Sequence, residues 1–404
     1  MKVNIEPIAL EFQDTRFFLN LGSKSDKIVS DFSEGIQSID VCTEWENDEP
    51  YFVLYNTYAC NLSCPYCFHG NLRKTDKAFK PQYSFDDLYS FMLRNNIHNT
   101  EIRFFGGEPL TNKEWIYQCI EYLKLKNVNA KYNIFTNGIS IDDELISFSI
   151  KKRIKYFVSV AGHNEDEKGR KHKKIIQNNI KKLLENNLIC IGRAVYKPEE
   201  ISLVELIEET MIPHLYMLSI TLEWGSNFNL ENACKHLIEF SDFYIKRIAN
   251  YQFDMIGVHP FVGYIGKWLF GKCYDVNQCG SGKTLYSVSI DGKIYPCHCF
   301  NENKDFVSGD LGTGYTPLFA NLNANTIKKC AKCDIKYICK YRCYADAYLR
   351  NGSVYKFDDK KCMFEKKVVS CSAYILYILI KEYPKQFKIF SQLLQKALKK
   401  DISH

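Results

Sequence analysis

Cys60, Cys64 and Cys67 stand in the segment C-N-L-S-C-P-Y-C, a C-x3-C-x2-C spacing. Closely spaced thiolates of this kind hold iron–sulfur clusters. A cubane has about four irons, and three thiolates leave one of them open. A catalytic metal site keeps a free position for the same reason. An open iron can chelate a substrate or cofactor. Two blander readings compete: three buried thiols in a loop, or a zinc site lacking its fourth ligand. The nearby imidazole, His69, follows the third cysteine too closely for an easy zinc geometry. Further along stands Gly106-Gly107-Glu108-Pro109. Glycines let a backbone come close to a ligand, and Glu108 offers a carboxylate to a ligand ammonium.

A second thiol-rich region follows. Of the 17 cysteines, nine lie between Cys273 and Cys362. Cys279 is followed after twelve residues by Gly292, and after four more by Cys297. Next comes Cys330-x2-Cys333-x5-Cys339-x3-Cys343, and finally Cys362. A zinc ribbon could use C-x2-C pairs but would leave the other positions unexplained. Cys273 stands six residues before Cys279. Cys299 is an alternative ligand or a free thiol. Cys42, Cys119, Cys190, Cys234 and Cys371 are expected to be small buried hydrophobes.

The elements that position these groups alternate. Strands are expected at 51–58, 101–107, 131–138, 155–162, 188–196 and 217–224. Helices are expected at 84–94, 115–125, 142–152, 175–186, 203–211 and 231–249, the first capped by Ser84. Repeated strand–helix units imply a parallel sheet with helical crossovers. In such folds functional groups gather at the C-terminal ends of the strands, where Cys60, Gly106, Asn137 and Ala161 fall. After about Phe261 the segments shorten and would need metal staples to fold. S-V-S-I-D-G-K-I-Y-P-C, 287–297, reads as a hairpin turning at Asp291-Gly292. The chain from Lys366 reads as amphipathic helix, and residues 1–50 receive no role.

Composition narrows the class. The 404 residues suggest about two or three domains. The start M-K-V-N-I-E-P-I-A-L lacks a basic opening followed by an apolar core, so no export signal is expected. Unexported thiols stay reduced and read as metal or redox sites, which places the chain in the cytoplasm. The longest apolar candidate, Tyr374 to Ile380, falls short of the roughly 20 residues a membrane span needs. The net charge of +6 is spread thinly. Lysine patches at 171–174 and 396–400 read as solvated helix faces, so no nucleic-acid partner is expected.

Together these motifs resemble the radical S-adenosylmethionine (SAM) superfamily. Tyr66 fills the family's aromatic position before the third cysteine, and both motifs follow the expected strands. The resemblance implies that Cys60, Cys64 and Cys67 hold a [4Fe–4S] cluster with one open iron. It implies that Gly106, Gly107, Glu108 and Pro109 receive the SAM amino group, with Tyr66 beside the adenine and Asn137 and Ser159 helping to hold SAM. The family's frequent Ser-Ile-Asp-Gly is Ser159-Val160-Ala161-Gly162 here, so Ala161 replaces the acid. The later cysteines are similar to the seven-cysteine SPASM domain. That likeness implies one auxiliary cluster on Cys273, Cys279, Cys297 and Cys343, and another on Cys330, Cys333, Cys339 and Cys362.

The implied fold is α/β: a partial (β/α)6 TIM-type barrel followed by a small loop-rich twin [4Fe–4S] SPASM domain. The implied organisation is 1–50 as an N-terminal extension, 51–262 as the barrel, 263–365 as the auxiliary-cluster domain and 366–404 as a helical tail. The implied cofactors are three [4Fe–4S] clusters and SAM. The implied chemistry is one-electron cleavage of SAM to a 5′-deoxyadenosyl radical, which takes hydrogen from a substrate. The implied partners are a peptide substrate encoded nearby and a flavodoxin- or ferredoxin-type electron donor, with no membrane. Peptide crosslinking through thioether or carbon–carbon bonds is the main expectation. Anaerobic sulfatase maturation to formylglycine is the alternative, but His298 stands where that branch carries an aspartate base. An imidazole could take that proton near neutral pH. Small-molecule dehydrogenation, which goes with a shortened cluster domain, and pure electron transfer, which explains neither G-G-E-P nor the open cluster, are further readings.

Overall fold

The apolar runs near 51, 99, 129, 155 and 190 fold as strands in the computed structural model, and the stretches between them contain helices. The structure describes residues 2–402 except 22, 24–26, 32–34, 36, 43–48, 65–66, 68–79, 161–166, 211–214, 216, 255, 272–273, 276–278 and 340. Tyr66, Ala161, Gly162 and Cys273 lie outside the described residues. The chain divides into two units: Asn47–Arg193 with Gly280–Asn321, and Met1–Glu46 with Ala194–Cys279 and Leu322–His404.

In the first unit, Tyr51–Thr57, Asn99–Gly106, Asn129–Thr136, Lys155–Ser159 and Cys190–Tyr196 lie side by side in chain order. Each is parallel to the next. The fifth strand reaches the end of this unit at Arg193. Tyr51–Thr57 is buried along nearly its whole length, as expected of a parallel strand covered on both faces. Its outer edge pairs with Leu285–Val288, also parallel. Antiparallel strands Lys293–Tyr295, Gly309–Asp310 and Gly314–Tyr315 extend that edge. The turn at Asp291-Gly292 is as expected, with Gly292 at φ +81°.

The crossover helices obey local rules. Helix Phe85–Arg94 is capped by Ser84, whose Oγ accepts from Asp87 N at 3.1 Å, while Ser84 N donates to Asp87 Oδ2 at 2.8 Å. Such a cap is worth about 0.5–2 kcal/mol. Its buried face is Leu88, Phe91 and Met92. Helix Lys113–Leu125 buries Ile116, Cys119, Ile120 and Leu123 at the same three-to-four spacing. Cys119 is therefore a core side chain. Cys190 and Cys371 are equally buried free thiols. The fourth crossover helix, Glu167–Glu185, starts earlier than its apolar periodicity suggested.

In the second unit, residues assigned no role from sequence build two small sheets. Ile8–Phe12, Thr15–Leu19 and Val29–Ser30 form one, while Lys2–Ile5, Gln37–Cys42 and Tyr274–Asp275 form the other. The first lies on the long helix Asp359–Glu382. Phe12 meets Tyr374 and Phe17 stacks on Tyr377, each with ring centres 5.3 Å apart. The stretch after Phe261, expected to be loop-rich, begins with a helix, Phe261–Phe270. Its residues are apolar on most faces and Phe261, Val262, Tyr264, Ile265 and Trp268 are buried. Among the described residues no helix is long and apolar enough to cross a membrane.

Candidate active site

Strands Tyr51–Thr57 and Asn99–Gly106 end together, and the turns that follow touch through their backbones. Gly107 N donates to Thr57 O at 3.0 Å and Glu108 N to Ala59 O at 2.8 Å. A Cβ on Gly106 would stand 2.2 Å from Thr57 O, and one on Gly107 2.3 Å from Ala59 O. Sequence alone assigns these glycines to close approach of a ligand. In the structure they first admit the carbonyls of the strand exit that leads to Cys60.

This docking buries Glu108, which is 1% exposed. Its Oε1 accepts from Leu110 N at 3.1 Å and from Thr136 Oγ1 at 2.7 Å. Its Oε2 accepts from Asn137 N at 2.7 Å. A carboxylate has about four acceptor sites, so these donors leave about one. Burial pushes the Glu108 pKa up to about 7, against the pull of its three hydrogen bonds. A cation at the remaining acceptor position would favour the charged form.

Asn137 is almost fully used. Its Oδ1 accepts from Ile139 N at 3.1 Å, and its Nδ2 donates to Asn61 Oδ1 at 2.7 Å. Asn61 Nδ2 in turn donates to Ser140 Oγ at 3.2 Å. Asn61 sits inside the cysteine motif and sequence reasoning missed it. The available signal was an amide just past Cys60, of the type that bridges turns. Gly138, at φ +78°, makes the turn, and Asn179 Nδ2 donates to its carbonyl at 2.8 Å.

Cys60, Cys64 and Cys67 are half-buried and not joined in disulfides. Cys67 N donates to Cys64 O at 3.2 Å, and Leu62 N to Cys60 Sγ at 3.4 Å. Among the described residues, these thiols are not gathered within 4.8 Å of one another, whereas the donor atoms of Cys297, His298 and Cys299 are. Sulfurs around a cubane stand farther apart than those around a single ion. The all-thiol donor set suits an iron–sulfur cluster.

His298 follows the hairpin on the same unit. Tyr55 Oη donates to its carbonyl at 3.0 Å, and its ring lies 5.0 Å from that of Phe105. Cys297 Sγ is 3.6 Å from His298 Nδ1. A hydrogen bond from Cys299, helped by His298, holds the Cys297 thiol well below its usual pKa despite burial. Ser159 is half-buried at its strand end, in register with Arg193. Arg193, another residue that sequence reasoning missed, places its guanidinium 5.4 Å from the centre of the Phe135 ring.

In the second unit, Cys330 is buried and Cys279, Cys333, Cys339, Cys343 and Cys362 are half-buried, none of them joined in a disulfide. Two ion pairs organise three of them. Lys329, next to Cys330, bonds Asp359 at 2.5 Å, and Lys366 bonds Asp334, next to Cys333, at 2.7 Å. Residues 359, 362 and 366 share one helix face, so Cys362 lies between the two pairs and turns toward Cys330 and Cys333. Exposed pairs add little stability, but these set the register. Beyond Cys343, Asp346 is fully buried and accepts from Gly225 N and Arg350 Nε, each at 2.9 Å. Burial alone would raise its pKa, but Lys361, Tyr341 and these donors keep it low.

Residues 55–207, which carry Cys60, Glu108, Asn137 and Ser159, match the model of the Radical SAM superfamily. The chain is 22% identical over 318 residues to a cysteine-type anaerobic sulfatase-maturating enzyme of Clostridium perfringens, covering 70% of this chain and 85% of that one. It is 21% identical over 347 residues to the radical SAM cyclopropyl synthase TigE of Paramaledivibacter caminithermalis, covering 77% and 71%. The solved structure of native anSMEcpe with bound AdoMet matches with a TM-score of 0.65 at 17% identity, over 82% of this chain and 100% of that one. This likeness establishes the α/β fold with its large, mostly parallel sheet.

Proposed function

We propose that this radical SAM superfamily enzyme cleaves SAM reductively and takes hydrogen from a peptide, leaving a thioether or carbon–carbon crosslink in a ribosomally made substrate. The observation that carries the reading is the docking of the Thr57–Ala59 strand exit, which leads to Cys60, against the buried Glu108 turn, with Asn61 tied to Asn137 beside it. Cys60, Cys64 and Cys67 would hold a [4Fe–4S] cluster, and Glu108 would meet the SAM ammonium at its remaining acceptor position. Gly106, Gly107 and Pro109 shape that turn, and Asn137 fixes it to the loop. Ser159, and Tyr66 through its backbone, would complete the SAM contacts.

Cys273, Cys279, Cys297 and Cys343 would hold one auxiliary cluster, and Cys330, Cys333, Cys339 and Cys362 another. The first cluster and SAM would supply the carbon radical, and an auxiliary cluster would accept the electron released as the substrate is oxidised. His298 would take the accompanying proton on its imidazole. The order of the parallel strands supports a partial (β/α)6 barrel over 51–262, followed by an auxiliary-cluster domain over 263–365. A flavodoxin- or ferredoxin-type protein would donate the first electron.

Formylglycine formation is the second reading, favoured by the likeness to a sulfatase-maturating enzyme. Co-expression with short peptides encoded by neighbouring genes, followed by mass spectrometry, separates the two. A crosslink removes hydrogens only, whereas formylglycine formation from cysteine also exchanges sulfur for oxygen. Unmodified peptides and a converted sulfatase would overturn the crosslinking assignment.

A further inference from the structure

Two arginines occupy the aromatic face of the parallel strands in the first unit. Arg103 is matched: its Nε bonds Glu101 Oε1 at 2.5 Å, and its guanidinium covers the Tyr51 ring at 4.1 Å. Asn133 Nδ2 donates to the same Glu101 oxygen at 2.6 Å. Among the described residues Arg193 has no such match: no hydrogen bond or ion pair reaches its guanidinium. It lies over Phe135, which stacks on Phe157 at 4.3 Å and meets Phe105 at 5.6 Å. The cation therefore rests on an aromatic floor, in register with Ser159 near the C-terminal end of its strand.

Burial lowers the Arg193 pKa, the Cys299 thiol raises it and Arg103 lowers it further. An arginine remains charged even so. A half-buried charge is costly unless an anion meets it, and an aromatic face offsets part of that cost. The planar fork of a guanidinium matches a carboxylate through two parallel hydrogen bonds. We infer that Arg193 holds a carboxylate of the peptide substrate, either its C-terminus or an acidic side chain. This inference rests on the proposed peptide reading. The SAM ammonium is assigned to Glu108, at the ends of the first three strands. Arg193 stands two strands beyond, facing Phe135 and Cys299.

The test uses the full chain, anaerobically reconstituted, with SAM present. Binding of N-acetylglycine is compared with binding of N-acetylglycinamide, which differ only in the carboxylate. The wild type should bind the acid at least tenfold more tightly. Arg193→Gln should remove the preference, and Arg193→Lys should retain part of it, with iron content reporting intact folding. Equal binding by the wild type, or a preference that survives Arg193→Gln, would overturn the assignment. A preference seen only without SAM would also overturn it, because the SAM carboxylate would then occupy the guanidinium. Formation of 5′-deoxyadenosine by the same wild-type sample reports separately on the parent reading.

Discussion

Asn137 Nδ2 donates to Asn61 Oδ1 at 2.7 Å, so the turn after the third parallel strand grips the cysteine loop between Cys60 and Cys64. The cysteine loop and the Glu108 turn are thereby one assembly. A hydrogen bond of this kind is worth about 0.5–1.5 kcal/mol. Asn61→Ala or Asn137→Ala should therefore raise the SAM dissociation constant about two- to tenfold. Equilibrium dialysis on reconstituted protein measures this, and unchanged affinity in both variants would count against the coupling.

Gly107 leaves no room for a methyl group, because Ala59 O, Tyr58 O and Ala59 C all lie within 3.0 Å of the position a Cβ would take. Forcing a methyl into packed structure costs about 1–3 kcal/mol. Gly107→Ala should lower Tm and reduce iron retention together. A normal Tm with lost SAM binding would instead mean that the glycine serves the ligand alone.

Glu108 gives a pH dependence. Its pKa of about 7 means that it is mostly protonated below that value and ionised above it. A SAM ammonium is attracted by the ionised form, so SAM affinity should rise as pH increases through about 7. Glu108→Gln should bind more weakly and show a flat profile. Because the folded-state pKa is raised, the empty protein binds this proton more tightly than the unfolded chain does. The contribution to stability is present below the ordinary carboxylate pKa of 4.5 and is lost as pH rises toward about 7. SAM should therefore protect against unfolding more at high pH than at low pH.

Iron content tests the auxiliary sites. Three cubanes of about four irons each give about twelve irons per chain. A Cys339→Ala, Cys362→Ala double variant should lose about four of them yet still cleave SAM. Loss of all iron would show that the four-thiol region is needed for folding rather than for a separate cluster.

Much of this arrangement was legible in local pattern. From Tyr51 to Ala249 each strand and helix carries its own period, and Ser84 marks a helix start by chemistry local to four residues. The Cys60, Glu108 and Asn137 positions follow from motifs that depend on spacing alone. What was not legible depends on partners distant in the chain. Gln37–Cys42 pairs with Tyr274–Asp275 across more than two hundred residues, and no period announces it. Gly107 needs to be glycine because of Ala59, and Arg193 stands out only once Arg103 is seen to have Glu101. Cys362 turns toward Cys330 and Cys333 through two ion pairs whose members sit beside the cysteines. Their lysines look like ordinary solvated charge in the sequence.

The most direct measurement is SAM cleavage by anaerobically reconstituted protein under a low-potential reductant, read as 5′-deoxyadenosine. The wild type should form it. The variant with Cys60, Cys64 and Cys67 all changed to Ala should form none while retaining about eight irons. Cleavage that persists in that variant, or an iron-replete wild type that leaves SAM intact, would contradict the account.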